Sequence, residues 1–446
     1  MSSNAPRAGA RARWLPRGRT VRAAGVAGGS ALLVATMAVG YGMHRASQAR
    51  SMLGQARARL DAPFVEAPTL DRLQASTARS LLERAAALGV DDEEVRGLSH
   101  YASALEDLQR GDLVLAEGEL AVALTHLGPT AQLHVLAAAL SRARRLDDEA
   151  RLELRRALEM SPDAPRARLI AADLALDHED GAEAQAQLEW LAAHEPESGV
   201  VWNRLGLARE LLGDRPGAEA AFVRAGELDR LGHDPWLNLG RLLRDTGRTD
   251  ASLAAFDTAV RRAPADPDAH LGRGLARAAV EDVAGAQADF ERAAELAPND
   301  AEPLLALGDL LRDHGQVERA IESYRRALDR EDADAASWLK LGNALGLLER
   351  WAPAEAAFRQ ATARAPGLAP ARNGLGASLM HLGRGAEARR ELEQAAELDG
   401  RDPNPLMNLA LLCEREGDVE AARAAWERVL LRAPGSAIAA AHLARP

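Results

Sequence analysis

The chain has 446 residues, more than one hydrophobic core usually organises, so it holds several domains or one elongated array. Aromatic residues are only 3% of it, while 47% are hydrophobic and 27% charged; this excludes wholesale disorder and disfavours sandwiches and barrels, whose strands need aromatic and β-branched side chains. The formal charge of −11 is unevenly laid: residues 1–60 carry ten arginines and no acid, leaving 45 of the 55 basic residues to face all 66 acidic ones, a field that repels a phosphate backbone and argues against a nucleic-acid partner.

Residues 1–22 form a basic tail, expected in the cytoplasm. Residues 23–43 read AAGVAGGSALLVATMAVGYGM, uncharged throughout and long enough to span a hydrocarbon core as a helix. Six arginines precede this run and four follow it, so the positive-inside rule places the amino terminus in the cytoplasm and the bulk of the chain in the periplasm, anchored by a single pass in the inner membrane. A cleaved signal peptide is the competing reading, with Ala38-Val39-Gly40 as its small-x-small site; the length of the apolar run and Arg45 directly after it favour the anchor. Gly25 and Gly29 have the spacing at which two such helices approach closely, a weak basis for a homodimer in a segment this rich in small residues.

Residues 44–96 read as a stalk or linker. Ala46–Leu60 has helix-forming composition and Pro63 and Pro68 interrupt it; a second helix is expected over Asp71–Leu88, ended by Gly89, either capping the main body of the chain or tethering it.

From residue 97 the chain repeats every 34 residues, without an insertion, ten times to residue 436. Numbering each repeat from 1, position 20 is alanine in nine of ten, Ser252 being the exception. Position 24 is always large and apolar, as in Phe222, Phe256, Phe290, Tyr324, Phe358 and Trp426; position 8 is glycine in the fourth to ninth repeats; position 32 is proline in six. Two helices per repeat satisfy this pattern, the first carrying positions 4, 7, 8 and 11 on one stripe and the second carrying 20, 24 and 27 on another, with the ring at position 24 filling the space that glycine and alanine leave. No single repeat buries its own apolar face, so stability must come from stacking, and Ser436 opens a closing helix at 437–446 that carries Leu443.

Trp236, Leu239, Gly240, Leu243, Ser252, Phe256 and Pro264, and again Trp338, Leu341, Gly342, Leu345, Ala354, Phe358 and Pro366, resemble the tetratricopeptide repeat pattern. The resemblance implies an all-α fold, a right-handed superhelical solenoid of ten helix-turn-helix repeats, whose first helices line a concave groove at positions 2, 5, 6, 9, 12 and 13. In the middle repeats these positions include Arg204, Asn238, Arg241, Arg244, Arg312, Lys340 and Asn343, donors suited to peptide carbonyls or a carboxylate, with Asp245, Asp309 and Asp313 near enough to neutralise some of them. The carboxylate clamp of chaperone-binding members is not matched: its positions hold Leu339, Asn343, Gly374 and Asn408.

No P-loop, zinc-protease helix or nucleophile elbow occurs, and the single cysteine, Cys413, falls on a packing position. The eleven histidines are scattered, and His178-Glu179-Asp180 falls in a turn between helices. Some members of the resembling family carry a catalytic domain after the array; here ten residues follow it, so the expectation is a noncatalytic protein without cofactor or metal. Its expected role is a membrane-anchored scaffold that binds a protein or peptide partner in the groove, in a bacterial envelope. A cytoplasm-facing adaptor, or a noncatalytic or glycan-binding subunit of an envelope polysaccharide or glycosyltransferase complex, is the alternative.

Overall fold

The computed structural model describes residues 43–60, 68–89, 92–330 and 334–444, and among them every regular element is a helix. The basic tail 1–22 and the uncharged run 23–43, Met43 apart, lie outside the described residues; among the described ones no helix is long and apolar enough to cross a membrane.

Helix α1 covers residues 43–60 and α2 Pro68–Ala87. Ten hairpins come next: α3 (Glu93–Arg110) with α4 (Leu113–Leu127), α5 (Ala131–Ala143) with α6 (Asp147–Met160), α7 (Pro165–Asp177) with α8 (Gly181–His194), α9 (Gly199–Leu211) with α10 (Arg215–Leu228), α11 (Asp234–Asp245) with α12 (Thr249–Arg262), α13 (Pro267–Ala279) with α14 (Val283–Leu296), α15 (Glu302–Asp313) with α16 (Val317–Leu328), α17 (Ala335–Leu347) with α18 (Trp351–Arg364), α19 (Ala369–His381) with α20 (Gly385–Leu398), and α21 (Asn404–Glu416) with α22 (Val419–Arg432). Helix α23 (Ala437–Leu443) closes the series. Each hairpin occupies one 34-residue repeat, and every second helix starts at position 17. Packing divides the chain into two compact units, Met1–Val201 and Trp202–Pro446, each a stack of such hairpins.

Pro68 does not interrupt a helix, as its sequence setting suggests, but opens α2, because at the first helical position the missing N–H has no partner to lose. At the other end, Ser436 accepts from the Ala439 amide at 3.3 Å, and α23 lays His442 on the Trp426 ring with a centroid separation of 4.5 Å.

The ring at position 24 explains the glycine at position 8. Phe222, Phe256, Phe290 and Tyr324 are all under 2% exposed, and each lies on the glycine of its own repeat: a Cβ added at Gly206 would stand 2.4 Å from Phe222, and one at Gly308 2.3 Å from Tyr324. The next repeat supplies a second wall, since a Cβ at Gly272 would stand 2.2 Å from Phe256 and one at Gly374 2.4 Å from Phe358. Ser252, the exception at position 20, is buried yet satisfied, its Oγ donating to the Gly240 carbonyl at 2.7 Å.

Position 15, in the turn between paired helices, has φ > 0 in every repeat. Glycine stands there in six, as at Gly213 (φ 76°) and Gly247 (φ 74°), but Arg145 (62°), Glu179 (57°), Glu281 (62°) and Glu349 (54°) hold the same conformation with a Cβ. Replacing Glu281 or Glu349 by glycine should therefore stabilise the fold by about 0.5–1 kcal/mol each, the relief of left-handed strain exceeding glycine's added unfolded-state entropy. A higher melting temperature for the double variant checks this; no change or a fall contradicts it.

Positions 4 and 23 are chemically matched. Where position 4 is polar, a hydrogen bond joins it to a polar partner 19 residues on: His100 to Glu119 at 2.6 Å, His134 to Glu153 at 2.5 Å, Arg168 to Gln187 at 2.8 Å, His270 to Asp289 at 3.2 Å and Arg372 to Glu391 at 2.8 Å. Where position 4 is Trp202, Trp236, Leu304, Trp338 or Leu406, position 23 is Ala221, Ala255, Ser323, Ala357 or Ala425. Three of the histidines that look scattered in the sequence, His100, His134 and His270, thus serve as inter-helix struts.

The fourth and ninth repeats lack the proline at position 32 and end their second helices differently. Arg262 reaches back to the carbonyls of Asp229 and Gly232, both at 2.7 Å, and of Gly226 at 3.2 Å. Arg432 does the same to Asp399 at 3.2 Å, Asp402 at 2.8 Å and Ala396 at 2.7 Å. In both places a guanidinium satisfies carbonyls that a helix end leaves without partners.

Candidate functional site

The first helices present two stripes. On α11, Leu239, Leu242 and Leu243 are buried, while Asn238, Arg241 and Arg244 recur every three residues on another side. Asn238 is nearly buried; its Nδ2 donates to Asn203 Oδ1 at 3.1 Å and its Oδ1 accepts from Arg241 Nη2 at 3.0 Å. Arg241 itself is exposed. Near it the Glu210 carboxyl is pushed above the usual carboxylate range, by burial first, with Arg241 pulling the other way and Asp245 reinforcing the rise. The same amide pair returns in the ninth and tenth repeats, where Asn408 Nδ2 donates to Asn373 Oδ1 at 2.8 Å.

Several of the expected donors are already committed. Arg244 Nε bonds Asp245 Oδ1 at 3.1 Å. Arg312 bridges Asp309 at 3.0 Å and Asp313 at 2.8 Å, and Lys340 of the next repeat closes on the other oxygen of Asp309. Tyr324, the position 24 ring of the repeat that holds Asp309, donates its hydroxyl to Asp309 at 2.7 Å, and burial followed by this carboxylate pushes the phenol far above its ordinary value. Burial works to lower the Arg312 guanidinium, but the bonds to Asp313 and the charge of Asp309 outweigh it and hold it charged. The structure therefore brings Arg312 and Lys340 together on Asp309, and Asn238 with Arg241. It leaves Asn343 exposed with no hydrogen bond among the described residues, and Arg204 half-buried.

Chemically, these groups suit recognition. A phenol held protonated is a donor, the paired asparagine amides are donors and acceptors at once, and the Cys413 thiol is buried and pushed up, chiefly by that burial. Among the described residues no group of three or more His, Cys, Asp and Glu could hold a metal ion. Sequence reasoning missed Asp309 as the point where three donors meet, and the paired amides; the recurrence of asparagine 35 residues apart, at Asn203 and Asn238 and again at Asn373 and Asn408, was the available signal.

A model of the tetratricopeptide repeat matches residues 171–229, 237–301, 305–369, 348–405 and 373–438, more than half of the chain. No curated protein matches. Among solved structures the chain is similar to YrrB, a TPR protein with an unusual peptide-binding site, at 22% identity over 42% of this chain and 97% of that one, with a TM-score of 0.36. It is also similar to pilF of Pseudomonas aeruginosa, at 18% identity over 46% and 93% with a TM-score of 0.40, and to the APC/C hetero-tetramer Cut9-Hcn1, at 14% over 85% and 84% with a TM-score of 0.41.

Proposed function

The chain belongs to the tetratricopeptide repeat family, and on that premise we propose that it is a noncatalytic docking scaffold whose first helices, in the 202–446 unit, take an extended segment of a protein partner. The observation that carries this is the exposed guanidinium of Arg241 beside the Asn203–Asn238 amide pair, with a matching pair at Asn373–Asn408: side chains of the kind that hydrogen-bond a peptide backbone and an acidic side chain. Arg312 and Lys340, neutralised by Asp309 and Asp313, contribute less than their formal charges suggest.

The double substitution Arg241→Glu with Arg244→Glu should weaken capture of an acidic partner by tenfold or more while leaving helicity intact, because it replaces one exposed donor and releases Asp245 as a further negative charge. Unchanged capture would discard the groove assignment. Arg312→Gln should weaken it much less.

The uncharged run 23–43 between clusters of arginine supports a single-span anchor with the repeats on the extracytoplasmic side of a bacterial envelope. A phosphatase reporter fused to the carboxyl terminus should be active only outside the cytoplasm; activity confined to the inside would put the adaptor on the cytoplasmic face. Recovery of sugar polymer without protein after crosslinking would favour the glycan-binding reading.

A further inference from the structure

Helix α1 folds back on the stack. Its residues Ala49, Met52, Leu53, Ala56 and Leu60 fall on one helical face, and Ala49, Ala56 and Leu60 are at most 2% exposed. Ala56 and Leu60 belong to the same buried cluster as Tyr101, Leu105 and Leu136. These three occupy positions 5, 9 and 6 of the first two repeats; at position 9, where Leu105 is 6% exposed, later repeats are open, Arg241 and Asn343 being exposed and Leu411 38% exposed. Arg166, at position 2 of the third repeat and 106 residues along the chain, donates Nη1 to the carbonyl of Leu60 at 2.9 Å. Arg57 pairs with Glu94 at the start of α3.

Covering the end of the stack does not require this. Helix α2 already packs on α3, with Ala78, Leu81 and Leu82 buried and Arg79 bonded to Glu106 at 3.2 Å. A cap has no reason to reach the third repeat. The grip on α1 has the elements of helix-in-groove recognition: a small-and-apolar stripe laid into an apolar face, a charge pair at its side, and a guanidinium on a backbone carbonyl.

We infer that the inner face of the first three repeats is a binding site for an amphipathic helix, and that residues 43–60 fill it in cis. The ligand class is a helix with small or apolar residues at i, i+3, i+4, i+7 and i+11 and arginine on its flank. This site is independent of the groove proposed for residues 202–446: an extended partner could bind there with the helix site filled or empty.

The test uses the full chain and a fluorescein-labelled peptide of residues 43–60. The native chain should give no saturable change in anisotropy, its site being filled. The unplugged chain, Ala56→Glu with Leu60→Glu, should bind the peptide saturably, and adding Arg166→Ala to it should weaken binding several-fold. Equal binding by native and unplugged chains overturns the proposal, as does no binding by an unplugged chain whose circular dichroism is native. Should the unplugged chain fail to fold, Arg166→Ala alone in the native chain should speed tryptic cleavage after Arg57 and Arg59 several-fold, and an unchanged rate overturns the proposal. A native chain that sediments as a dimer and becomes monomeric on Leu60→Glu would contradict occupation in cis.

Discussion

Phe256→Ala should destabilise the fifth and sixth repeats by about 3–5 kcal/mol. The ring is fully buried between Gly240 of its own repeat and Gly272 of the next, and neither wall carries a side chain that could move into the space. The cavity therefore persists, which puts the cost toward the top of the range for a buried aromatic. Phe256→Leu should cost far less, because Leu392 fills the equivalent place against Gly376 in the ninth repeat. Since each repeat touches chiefly its neighbours, amide hydrogen exchange should accelerate around α11 to α13 and stay near native elsewhere. Acceleration spread evenly over the chain would contradict the nearest-neighbour account.

Asp289→Ala should cost a comparable amount, about 3–5 kcal/mol, for a different reason. Asp289 is 3% exposed and receives Arg273 through Nη2 at 2.6 Å and Nε at 2.9 Å, Arg277 Nη1 at 2.8 Å and His270 Nδ1 at 3.2 Å. The bond to Asp289 is the main cause of a raised Arg273 guanidinium pKa, against the opposing effect of burial, so Arg273 stays charged and cannot escape by losing its proton. Removing the carboxylate takes away the closest partner of that half-buried charge and leaves it Asp257, 3.2 Å from Nη1, whereas Asp289→Asn keeps an acceptor and should cost less. Combining Asp289→Ala with His270→Leu reproduces the pair found at Leu406 and Ala425, and should recover part of the loss. Thermal melts of the four proteins give the coupling directly; a double variant as unstable as the sum of its parts would show that the strut is not one unit.

The parts of this fold that were legible in the sequence are those in which one residue type recurs at one position. Glycine at 8, alanine at 20 and the ring at 24 each answer to one contact made again in successive repeats, so the interval betrays the packing. Position 15 was readable in principle but hidden, because Glu281 and Glu349 adopt there the backbone of the glycines around them. Pairing across the hairpin is harder to see: His270 and Asp289 are 19 residues apart, and only their joint replacement by Trp and Ala, as at Trp236 and Ala255, reveals the partnership. His178-Glu179-Asp180, read as a turn between helices, divides its labour: His178 bonds Asp147 at 2.8 Å, Glu179 supplies the left-handed residue, and Asp180 caps α8 through the Glu183 amide at 3.1 Å. The expected donors lie on first helices, but their usable charge depends on neighbours one repeat away, as Lys340 and Asp309 show. Periodicity carries no information of that kind. The docking of α1 was illegible for the same reason, since nothing within residues 43–60 points to Arg166.

The docking role is tested most directly by a photo-reactive residue placed at Asn343, exposed on α17 and without a hydrogen bond among the described residues, against one placed at Glu291, exposed on the second helix α14. Irradiated in the source cell, the Asn343 protein should form a discrete adduct with another protein, and Arg241→Glu with Arg244→Glu should abolish it, while the Glu291 protein forms none. A discrete adduct from Glu291 and nothing from Asn343 would contradict the account.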